Sequence, residues 1–244
     1  MAAYNGEKFI AEQIASILDQ LGEDDEIVVI DDRSTDGTLE ALRALDDPRL
    51  RVIEQETNRG YVRTFERALG EARGTYLLLS DQDDIWLPGH VDDTVAALAT
   101  HDVVASNLTT LDGPDAIPGP YGQRDWHLSS AGSRRRVRNT VGILAGAMPY
   151  YGCAMGIRRE ALGRGASPFL RWLDESHDLW LALYGNVVGR MAHLDARTVA
   201  RRFHESNQTP TRPRGLVPVL RSRLMLVGNI GLLLARRVRR GARR

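Results

Sequence analysis

Apolar positions along this chain fall into two alternating rhythms. Phe9, Ile10, Ile14, Ile17, Leu18 and Leu21 recur at helical spacing, which predicts an amphipathic helix over 7–20. The run Ile27-Val28-Val29-Ile30 is continuous and β-branched, the pattern of a strand buried on both faces over 26–30. The alternation then repeats. Helix 37–45, strand 50–53, a turn at Asn58-Arg59-Gly60 and helix 61–72 lead to the strand Thr75-Tyr76-Leu77-Leu78-Leu79, which ends at Ser80. Pro88 suits the first turn of another helix reaching about Ala99, because its fixed φ fits there and its missing N–H is not needed. Residues 102–106 read as a further strand. Short strands alternating with helices describe a parallel sheet with crossover helices.

Beyond Ser106 the rhythm weakens. Residues 107–140 are rich in Gly and Pro and read as loops with room for a hairpin. Strands are expected at 154–157, 187–194 and 198–203, and a helix at 176–184. Pro210, Pro213 and Pro218 punctuate a linker, so the chain divides into one α/β domain over 1–211 and a basic helical tail over 212–244. A length of 244 residues accommodates a single domain with a substantial core.

The formal charge of zero conceals a polarity. Residues 1–100 hold 22 acidic and 9 basic side chains, whereas 212–244 hold ten arginines and no acid. Arg134-Arg135-Arg136-Val137-Arg138 reads as a solvated basic loop. The lone cysteine, Cys153, excludes an intrachain disulfide and reads as a small core residue. Met1-Ala2-Ala3-Tyr4-Asn5-Gly6 turns polar at once, unlike a secretory signal, and no apolar run reaches the ~20 residues of a spanning helix. A cytoplasmic location is therefore expected.

The candidate chemistry is acidic. Ser80-Asp81-Gln82-Asp83-Asp84-Ile85-Trp86 packs three carboxylates into four positions after a buried strand. Such groups repel one another unless something positive lies between them, and Mg²⁺ or Mn²⁺ would serve, since hard cations take oxygen ligands and share them with substrate phosphates. Strand 26–30 likewise discharges into Asp31-Asp32-Arg33-Ser34-Thr35-Asp36. Open α/β sheets bind ligands at the carboxyl ends of their strands, so Asp31 and Asp32 are expected at a ligand. Asp36 is expected as the N-cap of helix 37–45. Asp178 serves equally well as a helix cap or a reactive carboxylate on its own residues, and His204 as an ordinary histidine or a ligand. No Gly-rich phosphate loop is present, which argues against kinase and dehydrogenase chemistry.

Taken together, these segments resemble family-2 glycosyltransferases, in their bacterial rhamnosyltransferase-like branch. The resemblance rests on Tyr4-Asn5-Gly6-Glu7-Lys8, Asp31 to Thr38, Asn58-x-Gly60, Ser80 to Trp86, Gly152-Cys153-Ala154-Met155, His177-Asp178-Leu179-Trp180 and Arg202 to Gln208. It implies a GT-A, Rossmann-like domain with a mostly parallel sheet. It further implies that Asp32, with Asp31, contacts the nucleotide base, that Asp81 holds the ribose side, and that Asp83 and His204 bind Mn²⁺ or Mg²⁺ at the donor diphosphate. Asp178 matches the catalytic base of an inverting transfer to a glycan or polyprenyl-linked acceptor.

Family members begin with an apolar strand before the Tyr-Asn-Gly turn, where only Met1-Ala2-Ala3 stand here. The first strand is therefore expected to be truncated, and a non-catalytic nucleotide-sugar-binding module is the alternative. A nucleotidyltransferase shares the acid-metal logic but lacks its Gly- and Lys-rich loop. The mixed apolar and arginine tail is too short in its apolar part to span a bilayer. It suits peripheral contact with an anionic membrane at the inner face, and nucleic acid is not expected as a partner.

Overall fold

The computed structural model describes residues 1–111, 113–167, 169, 173, 175–203 and 216–241. Three parallel strands form the first sheet, β1 (Ala2–Ala3), β2 (Ile27–Asp31) and β3 (Leu50–Glu54), in the order β1-β2-β3. Helices α1 (Ile10–Leu18) and α2 (Thr38–Arg43) connect them. Ile10, Ile14 and Ile17 of α1 are buried beside Ile27 and Val29, as their spacing predicts. The α1 helix starts three residues later than expected, because Gly6 C=O accepts the N–H groups of both Phe9 and Ile10 in a tight entry turn.

Helix α3 (Tyr61–Glu71) packs Val62, Phe65 and Leu69 into the largest core cluster. Gly60, at φ 78°, turns the chain into it without a Cβ clash. The second sheet contains β4 (Tyr76–Leu78), β5 (Ile85–Trp86), β6 (Val103–Thr110), β7 (Met155–Arg158) and β8 (Met191–Arg201), in the order β4-β7-β6-β8-β5. Helix α4 (His90–Leu98) joins β5 to β6. The β6–β8 pair is parallel and the other pairs of this sheet are antiparallel. Parallel character therefore resides mainly in the first sheet, and the whole is the expected Rossmann-like α/β architecture.

Three differences from the sequence reading have physical causes. Residues 136–145 form helix α5 where loops were expected. Only Asn139 and Ile143 of that helix are buried, so no apolar stripe announces it. The two strands expected at 187–194 and 198–203 are one strand, β8, whose exposed middle residues Asp195 and Ala196 lie where the pairing with β6 shifts register. The expected N-cap, Asp36, lies one residue before Gly37, the observed cap of α2. It nevertheless accepts the Thr38 N–H at 3.1 Å and the Glu7 N–H at 3.2 Å. Burial pushes Asp36 upward, but these bonds outweigh it and hold the carboxyl below its usual range.

After β7, the short helix α6 (Arg159–Ala161) runs into a π-helical turn, and helix α7 (His177–Val187) follows. The tail is helical, α8 (Leu216–Gly241), with Leu226 and Leu233 buried in the same core as Trp180 of α7. No helix of the described residues is long and apolar enough to cross a membrane.

The two sheets do not pair with each other among the described residues. A cavity of about 920 Å³ lies between β2 and β4, lined by Met1, Val28, Phe65, Leu77 and Leu79. Side chains lace the seam above it: Gln82 Oε1 accepts the Tyr4 N–H at 2.8 Å, Gln82 Nε2 donates to Tyr4 C=O at 3.0 Å, and Gln13 Nε2 donates to Ser80 Oγ at 2.6 Å.

Candidate functional site

A cleft of about 860 Å³ opens at the carboxyl ends of β1, β2 and β4, where an open α/β sheet places its ligands. Asp32, Asp81, Asp83, Asp84 and Asp178 all line it, together with Arg201. They arrive from the ends of β2 and β4, the first turn of α7 and the last residue of β8. Residues far apart in the chain thus converge on one volume.

Asp32 organises its own wall. Its Oδ1 accepts the Arg59 N–H and the Gln55 amide, each at 2.7 Å, and its Oδ2 accepts the Gly60 N–H at 2.8 Å. These bonds fix the Asn58–Gly60 turn beside the cleft. Asp31 points elsewhere: its oxygens accept the Ser34 N–H and hydroxyl, and it is not among the cleft-lining residues. The physical reason is the alternation of a strand, which sends neighbouring side chains to opposite faces.

The acidic loop is held from behind. Ser16 Oγ accepts the Trp86 N–H at 3.0 Å, and Asp84 Oδ1 accepts the Arg202 N–H at 3.2 Å. Trp86 itself is buried under the loop against His90. Burial pushes Asp81 up to about 8, reinforced by repulsion from Asp84 and Asp83 and opposed by Arg201. Burial likewise raises Asp84 to about 6, with Asp83 adding to it. The ligand atoms of Asp81, Asp84 and Cys153 all lie within 4.8 Å of one another. Crowded carboxylates forced toward protonation form a donor set that a hard divalent cation relieves, so the residues present fit such an ion.

The sequence reading therefore needs revision in its details. The tightest group is Asp81 and Asp84 with the Cys153 thiol, whereas Asp83 lines the cleft outside that trio. His204 lies outside the described residues. Cys153 is buried as expected, yet against Asp84 rather than in an apolar setting, and its thiol is pushed up by burial and then by Asp84 and Asp81. Arg201 was not anticipated either. Its guanidinium lies over the rings of Tyr151 and Phe203 at 5.7 and 5.5 Å, and it lowers the carboxyl values of Asp81, Asp84 and Asp178. The exposed arginines around 134–138 are not among the cleft-lining residues.

Asp178 is not a cap. The residue that opens α7 is Ser176, held at φ 61° and ψ 50°, with its N–H donated to the Tyr61 hydroxyl at 3.1 Å. A left-handed non-glycine residue costs about 1–3 kcal/mol and persists only where its surroundings impose it. The bend turns His177 and Asp178 into the cleft. Burial raises the Asp178 carboxyl to about 6, tempered by the Leu179 N–H donated to Oδ1 at 2.7 Å. A carboxylate with that value is a competent base near neutral pH.

Fold and cleft together have the layout of a GT-A glycosyltransferase. The family description "Glycosyl transferase family 2" matches residues 1–165, and the chain belongs to that family. Among curated relatives, it is 36% identical over 117 residues to the succinoglycan biosynthesis protein ExoO of Rhizobium meliloti, covering 46% of this chain and 34% of that one. It is 34% identical over 118 residues to the putative glycosyltransferase EpsE of Bacillus subtilis, covering 46% and 42%. The Escherichia coli enzyme WfgD, a UDP-Glc:alpha-D-GlcNAc-diphosphoundecaprenol beta-1,3-glucosyltransferase, is 28% identical over 103 residues, covering 42% and 41%. The matches thus span less than half of these relatives.

Two solved structures share the fold. S. aureus TarS 1–349 in complex with UDP-GlcNAc superposes with a TM-score of 0.67 at 22% identity, covering 93% of this chain and 64% of that one. The mannosyltransferase PcManGT of Pyrobaculum calidifontis, in complex with GDP-Man and Mn²⁺, gives 0.58 at 19% identity, covering 96% and 72%.

Proposed function

We propose that this chain carries out metal-dependent, inverting transfer of a sugar from a nucleotide-diphosphate donor to a glycan or lipid-linked acceptor in cell-surface polysaccharide synthesis. The observation that carries the reading is the convergence of Asp32, Asp81, Asp84 and Asp178 in one cleft at the sheet's carboxyl edge. The solved UDP-GlcNAc and GDP-Man complexes with the same fold support the donor class, and WfgD's diphosphoundecaprenol acceptor supports a lipid-linked one. Rhamnose, from the resemblance of the sequence, is the donor sugar to test first.

Each residue then has a task. The turn fixed by Asp32 shapes the nucleoside end of the cleft. Asp81 and Asp84, with Asp83 and Cys153 beside them, would hold Mn²⁺ or Mg²⁺, which supplies charge neutralisation for the diphosphate leaving group. Arg201 adds positive charge on the same side. Asp178 accepts the proton of the acceptor hydroxyl as that oxygen bonds to the anomeric carbon and the bond to the diphosphate breaks. Attack opposite the leaving group inverts that carbon. The assembled carboxylates favour this reading over a purely nucleotide-sugar-binding module.

Helix α8 adds a membrane reading. Leu220, Leu224, Val227, Leu234 and Val238 are exposed and share one face at helical spacing. Arg221, Arg223, Arg236 and Arg237 flank them, in a segment without acid. Such a face lies in the headgroup plane of an anionic membrane.

The test of the transfer reading is nucleoside diphosphate release from UDP-GlcNAc, UDP-glucose, GDP-mannose and dTDP-rhamnose, with Mn²⁺, in the presence of lipid-linked glycan acceptors. Cation-dependent release from one donor, with inverted product, is the expected result. No release from any donor, with or without cation, would defeat it.

A further inference from the structure

His177 stands in the cleft wall beside Asp178, and nothing so far assigns it a task. It is 6% exposed, yet neither Nδ1 nor Nε2 has a hydrogen-bond partner. Buried polar atoms are nearly always paired, and an unpaired one costs about 1–3 kcal/mol. A merely structural residue at this position would have been apolar. The ring is instead held with care: it stacks on Phe65 at 4.2 Å and 19° and meets Tyr61 edge-on at 5.7 Å.

The opposite side of the ring is left open by a glycine. A Cβ on Gly152 would lie 2.8 Å from His177 Nε2, so any larger residue there would crowd that nitrogen. Gly152, His177, Tyr61 and Phe65 all line the cleft. Burial also pushes the imidazole down to about 3, so it is neutral at physiological pH. A neutral imidazole offers one N–H donor and one acceptor nitrogen. A diphosphate would select a cationic ring. A sugar hydroxyl, which both donates and accepts, matches a neutral one, and the adjoining aromatic faces suit the C–H surface of a pyranose.

We propose that His177 recognises the donor sugar, exchanging a hydrogen bond with one hydroxyl of the transferred hexose beside Asp178. The donor is chosen over the acceptor because His177 is almost wholly enclosed, and a group bound that deep must enter before the molecule that covers it. The proposal rests on the glycosyltransferase reading above and deepens it. His177 acts in recognition and takes no proton in the transfer.

The test compares wild type, His177→Phe and His177→Gln by calorimetric binding of UDP, GDP and dTDP and of UDP-GlcNAc, UDP-glucose, GDP-mannose and dTDP-rhamnose. Thermal melts run alongside. His177→Phe keeps the stack on Phe65 and removes both polar atoms. Its midpoint should rise, its affinity for the bare diphosphate should stay the same, and its extra affinity for the cognate sugar nucleotide should fall roughly tenfold, the worth of one hydrogen bond. His177→Gln, which keeps a donor and an acceptor, should regain part of that preference and serves as the reporter if His177→Phe fails to fold. A deoxy donor lacking the recognised hydroxyl should bind wild type and His177→Phe equally. If wild type prefers a sugar nucleotide over its diphosphate and both variants keep that preference in full, the inference is overturned while the transferase reading stands. If wild type binds no sugar nucleotide more tightly than its diphosphate, both fall.

Discussion

Asp178→Asn separates function from stability in opposite directions. The carboxyl is raised from 3.8 to about 6, chiefly by burial, so the folded protein disfavours its ionised form. A shift of that size corresponds to roughly 3 kcal/mol at neutral pH, and partial exposure of the side chain to solvent reduces this to about 1–3 kcal/mol. The sign follows from linkage. Below the unfolded value of 3.8 both states are protonated and nothing is lost. As pH rises towards 6 the unfolded chain releases its proton first, and the native state is destabilised relative to it.

Asparagine keeps the shape and still accepts the Leu179 N–H, but carries no charge. The variant should therefore match wild type near pH 3.5 and melt several degrees higher at pH 7.5, since 1 kcal/mol moves the midpoint by about 2–4 °C at this size. Transfer should fall by about 10²–10⁴, the usual contribution of a positioned base. Wild-type transfer should rise with pH through about 6, as the base ionises. Differential scanning calorimetry across that pH range and initial rates of diphosphate release measure the two effects. An Asp178→Asn enzyme that keeps its activity, or that is no more stable than wild type at pH 7.5, refutes the reasoning.

Three further outcomes are expected. Asp81 and Asp84 are raised to about 8 and about 6, so metal-free protein should lose stability as pH climbs from about 4 to 8. Mn²⁺ should restore it by binding the native form, and Asp81→Asn should abolish that restoration in a thermal-shift titration. Asp32→Ala removes the acceptor of three hydrogen bonds and should cost about 2–4 kcal/mol in urea unfolding, with donor affinity falling as the Asn58–Gly60 turn loosens; an unchanged midpoint would count against that role. Leu224→Glu with Val227→Glu alters only the exposed face of α8 and should abolish flotation with phosphatidylserine vesicles while leaving the melting midpoint within about 0.5 kcal/mol of wild type.

Up to Ser106 the periodicity of the sequence maps onto the structure, because each element there buries a regular apolar face. Ile10, Ile14 and Ile17 or Val62, Phe65 and Leu69 are visible as stripes and are found in the core. Legibility fails where burial is sparse. Helix α5 shows solvent its Val137 and Val141, and β5 is two residues long. The acidic half of the site was readable because clustered carboxylates after a strand have few other uses. Its remaining parts arise from long-range packing. Cys153 reaches Asp84 through the approach of the chain entering β7, Arg201 through the end of β8, and the unpaired His177 through the fold of α7 onto α3. No local pattern in the chain announces any of those meetings.

The divided sheet bears on how the cleft works as a machine. Asp32 hangs from one half, and Asp81, Asp84 and Arg201 from the other, with no strand pairing across the gap among the described residues. A molecule long enough to touch both ends acts as a rivet, fastening two plates that are otherwise laced by a few side chains. Grip on the substrate and the rigidity of the whole domain then become the same property, so the empty protein should breathe at its middle rather than at its rim.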